Sequence, residues 1–592
     1  MKPFILDPEE MKRLLAVSRG DAPADLVLRG GQLVNVLTGE IYPAEVAIYG
    51  GRIAGVAERD GTYKGNTIVE LGGEFIAPGF IDAHVHLESS MVLPTEFANA
   101  VLPRGTTSVI SDPHEIANVH GLDGIRFMLA ASDGLPLRVF VMLSSCVPAT
   151  DMETSGARLG VSDLASLLDH PRVLGIAEMM NYPGVVNGVD DMVQKATLGH
   201  TAGLRVDGHV PLVRGLPLQA YASAGISSDH ESVSAPEAME KLRSGFQVLI
   251  REGSTARNLD ALLPIVNERT ARFCSFATDD RQPDDLETQG HIDYIIRKAT
   301  AQGLDPVLAI QLATINTARH FGLDDLGAIA PGYHADLVTF KDIRDLHVTR
   351  TFAGGQLVAQ DGQVAARATN TVMPPINNML VPDLTEASFR IPATGTHARV
   401  IQALPEQIVT RSMPAEVRVL DGEVVADTER DILKIAVIER HRRTGNIGLG
   451  LVSGFSLRVG ALASSIAHDS HNLVVVGVTS EDMMLAARTV ADMGGGICAV
   501  SGGQVLGKLP LTVAGLMSDQ PLEHVATEMR RLLQASMSLG CTLANPYMAM
   551  AFLALPVIPE LKLTDMGLVD VMRFAICPLF LTADEVAAAS TS

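Results

Sequence analysis

The stretch that decides the fold reads Phe75-Ile76-Ala77-Pro78-Gly79-Phe80-Ile81-Asp82-Ala83-His84-Val85-His86-Leu87-Glu88-Ser89. An apolar run ends here in a His-x-His sequence. Because side chains alternate along an extended strand, His84 and His86 are expected on the same side, about 7 Å apart along the chain. Two imidazoles that face one way at a strand end suit a divalent cation. A His-x-His motif alone is weak evidence for a metal site. The apolar run and the Pro78-Gly79 turn before it favour a metal site over two exposed histidines.

Apolar stretches that end in polar residues recur through residues 76–322, with helical stretches between them. The predicted strands lie at 75–88, 106–115, 137–147, 173–182, 204–210, 225–232, 246–253 and 272–280. Eight strand–helix units in about 250 residues are typical of a (β/α)8 barrel of the TIM type. In that fold the chemistry takes place at the carboxyl ends of the strands, where the polar residues of this sequence fall.

Short alternating stretches with glycine turns flank the barrel region at 25–56 and again at 327–358. We therefore expect a small β-sandwich domain made of residues 1–75 and 323–365, into which the catalytic barrel of residues 76–322 is inserted. The overall fold class is expected to be α/β.

The last third of the chain follows a passage rich in Thr, Asn and Pro at 366–390, which we expect to be a linker. Residues 391–592 are expected to form a separate C-terminal α/β or α+β domain. Its predicted strands lie at 416–426, 446–452, 472–478 and 497–506, and its predicted helices at 429–443, 480–493 and 520–538.

The composition of the chain indicates the kind of core it forms and which binding partners are disfavoured. The 592 residues are 47% hydrophobic but only 4% aromatic, so the core is aliphatic, which suits parallel strands covered by helices. A net charge of -22 argues against nucleic-acid or anionic-membrane binding, and we expect neither partner. Prolines interrupt the uncharged stretch 541–559, which favours buried core over a membrane span. Five scattered cysteines without a CxxC pair, and no signal-peptide pattern, predict a cytoplasmic protein.

Six residues at the ends of the predicted strands carry the chemistry: His84, His86, Glu178, His209, His230 and Asp279. Taken singly, each has an ordinary structural interpretation, such as a core histidine, a helix cap or a solvated turn. Together they exceed what one cation needs, so we expect two divalent ions with Glu178 bridging them. Two such ions that share a water lower its pKa and produce hydroxide at pH 7. Asp279 is placed to take the proton and pass it to the leaving group.

Longer motifs resemble a known family. The segment 78–86, the later histidines and the segment 331–338 are similar to the amidohydrolase superfamily. The chain further resembles the bacterial, barrel-type adenine deaminases over nearly its whole length, through the stretches 86–91, 111–116, 177–185, 250–254, 445–448 and 467–472.

This resemblance implies hydrolytic deamination of adenine to hypoxanthine and ammonia, a step of purine salvage, by hydroxide activated at a binuclear metal centre. It implies that the six residues above bind two divalent metal ions per subunit, iron or manganese, although the same donors also suit zinc. Asp279, Glu178 and His230 are the implied catalytic residues. Because no lysine lies in 173–182, Glu178 is expected as the bridge in place of a carboxylated lysine.

Further polar residues have two interpretations. Glu88, Asp112 and Glu115, near the ends of the first two predicted strands, are expected to contact the substrate or, alternatively, to orient the histidines. Arg251 and Glu252 are expected to form a buried ion pair. The stretch 468–471, His-Asp-Ser-His, suggests a loop over the barrel mouth or a structural turn, with a third metal site less favoured.

Two other functions remain open from the sequence. The chain could be another hydrolase of the superfamily, acting on a cyclic amide or an N-acetyl sugar, or a catalytically inactive barrel that serves as a scaffold. The expected partner is the small purine base adenine, and the expected assembly is a homo-oligomer, a dimer.

Overall fold

The computed structural model describes residues 7–375, 379–405 and 407–589. Parts of the predicted domains and linker lie outside the described residues, at 1–6, 376–378, 406 and 590–592. Strands and helices alternate over most of the described chain, so the fold is α/β, as predicted.

The first flank consists of one helix and an antiparallel-rich sheet. Helix α1 covers Pro8–Ser18, and it begins where the Asp7 carboxylate accepts the backbone N–H groups of Glu9 and Glu10. The strands that follow are β1 Ala24–Asn35, β2 Glu40–Tyr49, β3 Arg52–Ala57, β4 Gly65–Glu70 and β5 Phe75–Pro78. Strand β1 pairs antiparallel with β2 along its length, and on its other edge it pairs first with β4 and then with β5.

Between residues 76 and 322, all of which are described, each of the eight predicted strand stretches contains one strand of a parallel sheet. These strands are β6 Phe80–Val85, β7 Thr106–Ser111, β8 Arg138–Ser144, β9 Val173–Ala177, β10 Arg205–Val206, β11 Ser228–Asp229, β12 Gln247–Arg251 and β13 Cys274–Ala277. The helices are α2 Pro94–Val101, α3 His114–His120, α4 Leu122–Ala131, α5 Val161–Ala165, α6 Tyr182–Val186, α7 Asp190–Thr201, α8 Gly215–Ser223, α9 Ala235–Arg243, α10 Leu259–Leu262, α11 Pro283–Thr288, α12 Ile292–Ala301, α13 Pro306–Leu312 and α14 Ile315–His320.

The parallel strands form two sheets, one in the order β10-β9-β8-β7-β6 and one in the order β11-β12-β13. Backbone hydrogen bonds link the sheets at both junctions. The Ser227 N–H donates to Val206 O at 3.0 Å, and the Asp279 N–H donates to His84 O at 2.9 Å. Because all pairings within these sheets are parallel, the carboxyl ends of the strands share one edge.

The predicted strand 75–88 divides at Gly79 into β5, which belongs to the flanking sheet, and β6, which belongs to the parallel sheet. A Cβ atom at Gly79 would lie 2.2 Å from the Thr107 hydroxyl oxygen, so the crossing leaves no room for a side chain. The Gly79 N–H donates to Asp336 O at 2.9 Å, which ties the crossing to the second flank.

The second flank completes the flanking sheet. Its strands are β14 Leu337–Phe340, β15 Val348–Ala353, β16 Gln356–Gln360 and β17 Gln363–Val364. Strand β14 pairs antiparallel with β5, with Leu337 opposite Pro78 and Phe340 opposite Phe75. Within the described residues, the sheet has nine strands in the order β17-β16-β15-β14-β5-β1-β2-β3, with β4 on the edge of β1. Both flanks therefore contribute to one sheet.

The C-terminal part contains a second large sheet in the order β20-β19-β24-β23-β26-β25-β27-β28. Its described strands are β18 Ile391–Pro392, β19 His397–Ala403, β20 Thr410–Glu416, β21 Arg418–Leu420, β22 Glu423–Val425, β23 Leu433–Ile438, β24 Ile447–Ser453, β25 Ala461–Ser464, β26 Leu473–Gly477, β27 Gly496–Ser501, β28 Gln504–Pro510, β29 Leu561–Thr564, β30 Gly567–Asp570 and β31 Ala575–Cys577. Its helices are α15 Ser480–Asp492, α16 Leu522–Ser538, α17 Pro546–Leu553 and α18 Ala583–Ala589.

The prediction of a helix over 429–443 is wrong, because β23 lies there in the interior of the large C-terminal sheet. All six residues of β23 are buried. A strand covered on both faces loses the polar–apolar alternation, so its pattern cannot be told from that of a buried helix. The predicted helices 480–493 and 520–538 agree with α15 and α16.

The C-terminal part packs on the parallel strands through a shared apolar core. One cluster of buried residues joins Val85 and Leu87 at the end of β6 with Val474 in β26 and Tyr547 in α17. Seven of the eight residues of α17 are buried, which agrees with the prediction that 541–559 is core. None of the described helices combines the length and the apolar character that a membrane crossing needs. The carboxyl edge of the parallel strands is thus covered by the C-terminal part.

Candidate metal centre and active site

The six predicted metal ligands meet at the carboxyl edge of the parallel strands. His84 lies within β6, and the others follow strand ends by one to three residues: His86 after β6, Glu178 after β9, His209 after β10, His230 after β11 and Asp279 after β13. All six side chains are buried. Residues separated by up to 195 positions in the sequence therefore face one point, since parallel strands end at one edge.

The Glu178 carboxylate lies at the centre of this cluster. Its Oε1 atom is 3.0 Å from His84 Nε2 and 3.1 Å from His86 Nε2. Its Oε2 atom is 2.9 Å from His209 Nδ1 and 3.4 Å from His230 Nε2. Each oxygen thus faces a different pair of histidines, which is the arrangement of a carboxylate that bridges two cations.

Asp279 completes the histidine pair of the first strand. Its Oδ1 atom is 3.0 Å from His86 Nε2 and 3.8 Å from His84 Nε2. Its backbone has a φ of 57°, in the left-handed region that residues other than glycine rarely adopt. Backbone hydrogen bonds in both directions between β6 and Asp279 hold this conformation: Asp279 N–H to His84 O, and His86 N–H to Asp279 O. Local strain of this kind is concentrated at functional sites.

The donor set fits divalent cations. Donor atoms of His84, His86 and Asp279 lie within 4.8 Å of one another, and so do those of His84, Glu178 and His230. In the described part of the chain, Glu178 Oε1 and His209 Nε2 are buried without a hydrogen-bond partner. Buried polar atoms are normally paired, so these two atoms indicate a missing ligand. Imidazole and carboxylate donors together are accepted by zinc, iron and manganese.

The electrostatics of the cluster favour ionised carboxylates. Burial alone would raise the pKa of Glu178, but the adjacent His230 and His84 hold that pKa well below its usual range. Burial likewise opposes ionisation of Asp279, and Arg251 and His86 outweigh it and lower the pKa of Asp279. Two carboxylates that stay ionised in a buried cavity concentrate the negative charge that a divalent cation neutralises.

Two contacts behind the ligands fix their orientation. His86 Nδ1 lies 2.9 Å from Asp112 O, and because a carbonyl oxygen only accepts, Nδ1 donates and Nε2 is free to bind a cation. Arg251 donates to Asp279 Oδ2 at 2.5 Å, while a second Arg251 nitrogen donates to Glu231 Oε2 at 2.9 Å. Such partners hold the side chain of a metal ligand in one orientation and fix the tautomer of a ligating histidine.

The prediction that Arg251 pairs with Glu252 is wrong. Successive side chains of a strand point to opposite faces, so Arg251, the last residue of β12, turns into the site, and Glu252 turns away to Lys298 at 2.7 Å. Glu231 was missed by the sequence analysis, although it directly follows His230. Its Oε1 atom lies 3.6 Å from His209 Nδ1 and 3.5 Å from His230 Nε2.

The three predicted substrate contacts differ in position. Glu115 lines the site cavity, whereas Glu88 and Asp112 are not among its described lining residues. Both Asp112 oxygens are engaged, one by the Ser144 hydroxyl at 2.7 Å and one by His114 Nδ1 at 3.0 Å. One Glu88 oxygen accepts the Ile116 N–H at 3.2 Å, and burial together with Glu115 raises the pKa of Glu88 to about 7.

The site cavity is closed by residues of the C-terminal part, which we call the roof: His468, Asp469, Phe552, Leu555 and Ile558. The other described lining residues are His86, His114, Glu115, Glu178, Met180, His209, His230, Glu231, Arg251, Asp279 and Asp280. His468 Nδ1 lies 2.7 Å from Glu115 Oε1, and His471 Nε2 contacts Glu115 Oε2. The sequence left open whether 468–471 is a loop over the active site or only a structural turn. In the structure this stretch is a loop that lies over the site cavity.

Side-chain and backbone hydrogen bonds dock the roof on the parallel-strand region. Asn472 donates to Thr154 O at 2.8 Å, and the Thr154 N–H donates to Asp565 Oδ1 at 2.8 Å. Within the C-terminal part, the His468 N–H donates to Ala551 O in α17 at 3.0 Å. No local motif indicates these contacts, since each joins segments that lie far apart in the sequence.

Known proteins resemble this chain over most of its length. Residues 75–358 match the amidohydrolase family, and residues 407–575 match the adenine deaminase C-terminal domain. The chain is 48% identical over 568 residues to the adenine deaminase of Desulfatibacillum aliphaticivorans, which covers 96% of this chain and 99% of the relative. It is 50% identical over 569 residues to the adenine deaminase of Methanothrix thermoacetophila, with 96% and 99% covered.

A third relative, adenine deaminase 2 of Carboxydothermus hydrogenoformans, is 47% identical over 579 residues, which cover 96% of this chain and all of the relative. Identity at this level extends over the parallel-strand region, the flanks and the roof together. Residues 75–358 carry the match to the amidohydrolase family, and the chain as a whole belongs to the adenine deaminase family.

Proposed function

We propose that the protein catalyses the hydrolytic deamination of adenine to hypoxanthine and ammonia. The observation that carries this proposal is the Glu178 carboxylate, whose two oxygens each face a separate pair of histidines, in a chain that belongs to the adenine deaminase family. Amidohydrolase-family enzymes usually use divalent metals, and the donor cluster here suits them.

Two divalent ions per subunit, manganese or iron and alternatively zinc, are the proposed cofactors. His84, His86 and Asp279 would hold one ion, His209 and His230 the other, and Glu178 both. When bound, such a pair lowers the pKa of a water toward neutrality and so supplies the nucleophile at pH 7. His230 has a double role, because it binds a cation and also faces the cavity in which adenine reacts.

The protein's own groups move the proton and position the substrate. Asp279 would accept the proton from the attacking water and deliver it to the leaving amino group, whose departure as ammonia completes the exchange. Arg251 holds Asp279 Oδ2, so Asp279 Oδ1 remains directed at the reacting centre. The buried roof excludes bulk water, which strengthens each of these electrostatic contacts.

Substrate contact is proposed for Glu115, with Glu88 and Asp112 as the further candidates. Glu115 lines the cavity and supports the roof through His468 and His471. Asp112 supports His114 and, through its carbonyl oxygen, His86. Glu88 lies behind Glu115, and with a pKa near 7 it can take up or release a proton there.

The test is ammonia release by the full chain after metal removal and reloading with Mn²⁺ or Fe²⁺. Adenine is expected to release ammonia, whereas the cyclic amides hydantoin and dihydroorotate are not expected to be hydrolysed. Opening of either cyclic amide without adenine turnover would favour another hydrolase of the amidohydrolase family. Less than one bound metal ion per chain, with no turnover of any substrate, would favour a scaffold.

We further infer that β6–β13 close into a (β/α)8 barrel of residues 76–322, inserted into a β-sandwich of 1–75 and 323–365. The backbone hydrogen bonds at both sheet junctions support closure. Residues 366–390 would be the linker and 391–592 the C-terminal domain. A homodimer and a cytoplasmic location are proposed as well; the five cysteines are all unpaired, which supports a reducing compartment.

A further inference from the structure

The roof carries a buried carboxylate that the proposed reaction does not use. Asp469 is buried, with its side chain only 2% exposed, and it lines the site cavity. Its Oδ2 atom has no hydrogen-bond partner in the described part of the chain. The histidine nitrogens His114 Nε2 and His468 Nδ1 lie 3.7 Å and 4.0 Å from Asp469 Oδ1, both too far for a hydrogen bond.

A buried carboxylate without a donor is costly, so a donor from a ligand is the natural explanation. His468 Nδ1 faces Glu115 Oε1 at 2.7 Å rather than Asp469. Burial and Asp469 raise the pKa of Glu153, which is the response of a buried carboxyl group to a second negative charge. A bound molecule with an N–H group close to Asp469 Oδ2 would supply the missing hydrogen bond.

Aromatic and aliphatic side chains line the cavity beside Asp469. Phe552 stacks on His468, with ring centroids 4.6 Å apart and planes 24° from parallel. Leu555, Ile558 and Met180 line the same cavity with aliphatic atoms. Apolar faces combined with a polar edge suit an aromatic heterocycle.

Asp469 and the metal-ligand cluster face the two nitrogens of the same imidazole. One imidazole, that of His114, lies between them: its Nδ1 is 3.5 Å from Glu178 Oε1, and its Nε2 is 3.7 Å from Asp469 Oδ1. A purine whose C6 lies at the Glu178 cluster extends its five-membered ring away from that cluster, toward the roof.

We propose that Asp469 accepts the ring N–H of the five-membered half of the purine and thereby restricts the site to free bases. This inference rests on the proposed function for the orientation of the ring. A site built to hydrogen-bond a substrate N–H strongly rejects an analogue that lacks it, because the buried acceptor is then left unpaired. Asp469 is thus assigned as a specificity-determining residue supplied by the C-terminal part.

The experiment uses the full chain loaded with Mn²⁺ and measures binding by calorimetry, independently of turnover. The probes are purine, 7-methylpurine and 9-methylpurine, since purine carries a single N–H in its five-membered ring, at N7 or N9, and a methyl group on either nitrogen removes it. The unaltered protein is expected to bind purine at least tenfold more tightly than either methylated form. In Asp469→Ala this preference is expected to fall at least tenfold, mainly through weaker purine binding.

Controls separate this role from a structural one. Asp469→Asn keeps the volume and serves if Asp469→Ala does not fold, and Asp492→Asn changes an exposed carboxylate at the end of α15. Metal content is measured in all variants. An unchanged preference in the Asp469 variants, or no preference in the unaltered protein, would overturn the assignment, as would a third metal ion that is lost on substitution of Asp469.

Ammonia release from adenine is recorded in parallel. If the unaltered protein discriminates among the purines through Asp469 but releases no ammonia, the proposed function fails and this assignment stands. If it deaminates adenine while the Asp469 variants keep the full preference, the assignment fails and the proposed function stands.

Discussion

The floor and the roof of the site cavity are built in different ways. The floor consists of six residues that each lie at or just after the end of a parallel strand, so their positions follow from the strand pattern. The roof consists of His468 and Asp469 in a loop, Phe552 in α17, and Leu555 and Ile558 after α17. These residues reach the site because the C-terminal part packs on the parallel strands. The difference teaches that the residues that bind the metal ions and the residues that select the substrate can come from separate parts of one chain.

The largest expected effect is at the floor. Asp279→Asn keeps the shape but removes the group proposed to transfer the proton, so kcat for adenine should fall on the order of 10³-fold. Most of the metal should remain, because the four histidines and Glu178 are intact. Steady-state kinetics together with metal analysis checks this, with Asp492→Asn as the control. Substantial activity in Asp279→Asn would refute the role of Asp279.

A smaller effect is expected behind the floor. The guanidinium of Arg251 donates to Asp279 and Glu231 through different nitrogens. A lysine ammonium has no such planar group, so in Arg251→Lys the Asp279 carboxylate loses its fixed orientation. We expect kcat/KM to fall by about 10- to 100-fold. The exposed Arg272→Lys is a matched control. Equal kinetics for both variants would show that Arg251 serves stability alone.

The roof should respond differently from the floor. Glu115→Gln removes the charge that His468 and His471 face, which loosens the roof without touching a proposed metal ligand. KM for adenine is expected to rise about tenfold, which corresponds to about 1.4 kcal/mol. Metal content should match that of the exposed-site control Glu523→Gln. Loss of metal in Glu115→Gln would instead connect Glu115 to the floor.

The last prediction concerns stability beneath the roof rather than turnover. Lys562 is fully buried and donates to Phe552 O at 2.8 Å and Ile408 O at 2.9 Å. Burial lowers the pKa of Lys562 to about 7, whereas a lysine in the unfolded chain titrates near 10.4. Between these values the unfolded state binds more protons, so stability rises with pH, by up to about 1.4 kcal/mol per pH unit.

Urea unfolding at pH 7 and pH 9 measures this effect. The free energy of unfolding of the unaltered protein, relative to that of Lys562→Met, should increase toward pH 9. Below pH 7 the lysine is protonated in both states, so the difference should level off. Parallel pH curves for the two proteins would mean that Lys562 does not titrate in this range.

Much of the floor could be predicted because it depends on local rules. Apolar runs that end in polar residues identify strand ends, and His84, His86 and Glu178 lie at such ends. Glu231 and the true partner of Arg251 could not be found in this way. Their pairing depends on how neighbouring strands are staggered, and no single strand carries that information.

The C-terminal part shows the same limit in its secondary structure. The mostly apolar character of β23, in which Lys434 is the one charged residue, comes from coverage on both faces, and the sequence pattern of such a segment fits a helix equally well. Asp469 is a similar case, because an Asp in a polar loop looks solvated until the packing of α17 buries it.

The sequence by itself determined the parallel-strand region, the six convergent donors and the family likeness. Each of these depends on residue type and spacing along a few consecutive residues. Only the tertiary structure decided which residues close the cavity and which carboxylates lack a partner. Burial and hydrogen-bond pairing are properties of surfaces brought together from distant segments, and the free energy that joins those surfaces is spread over many apolar contacts that no motif records.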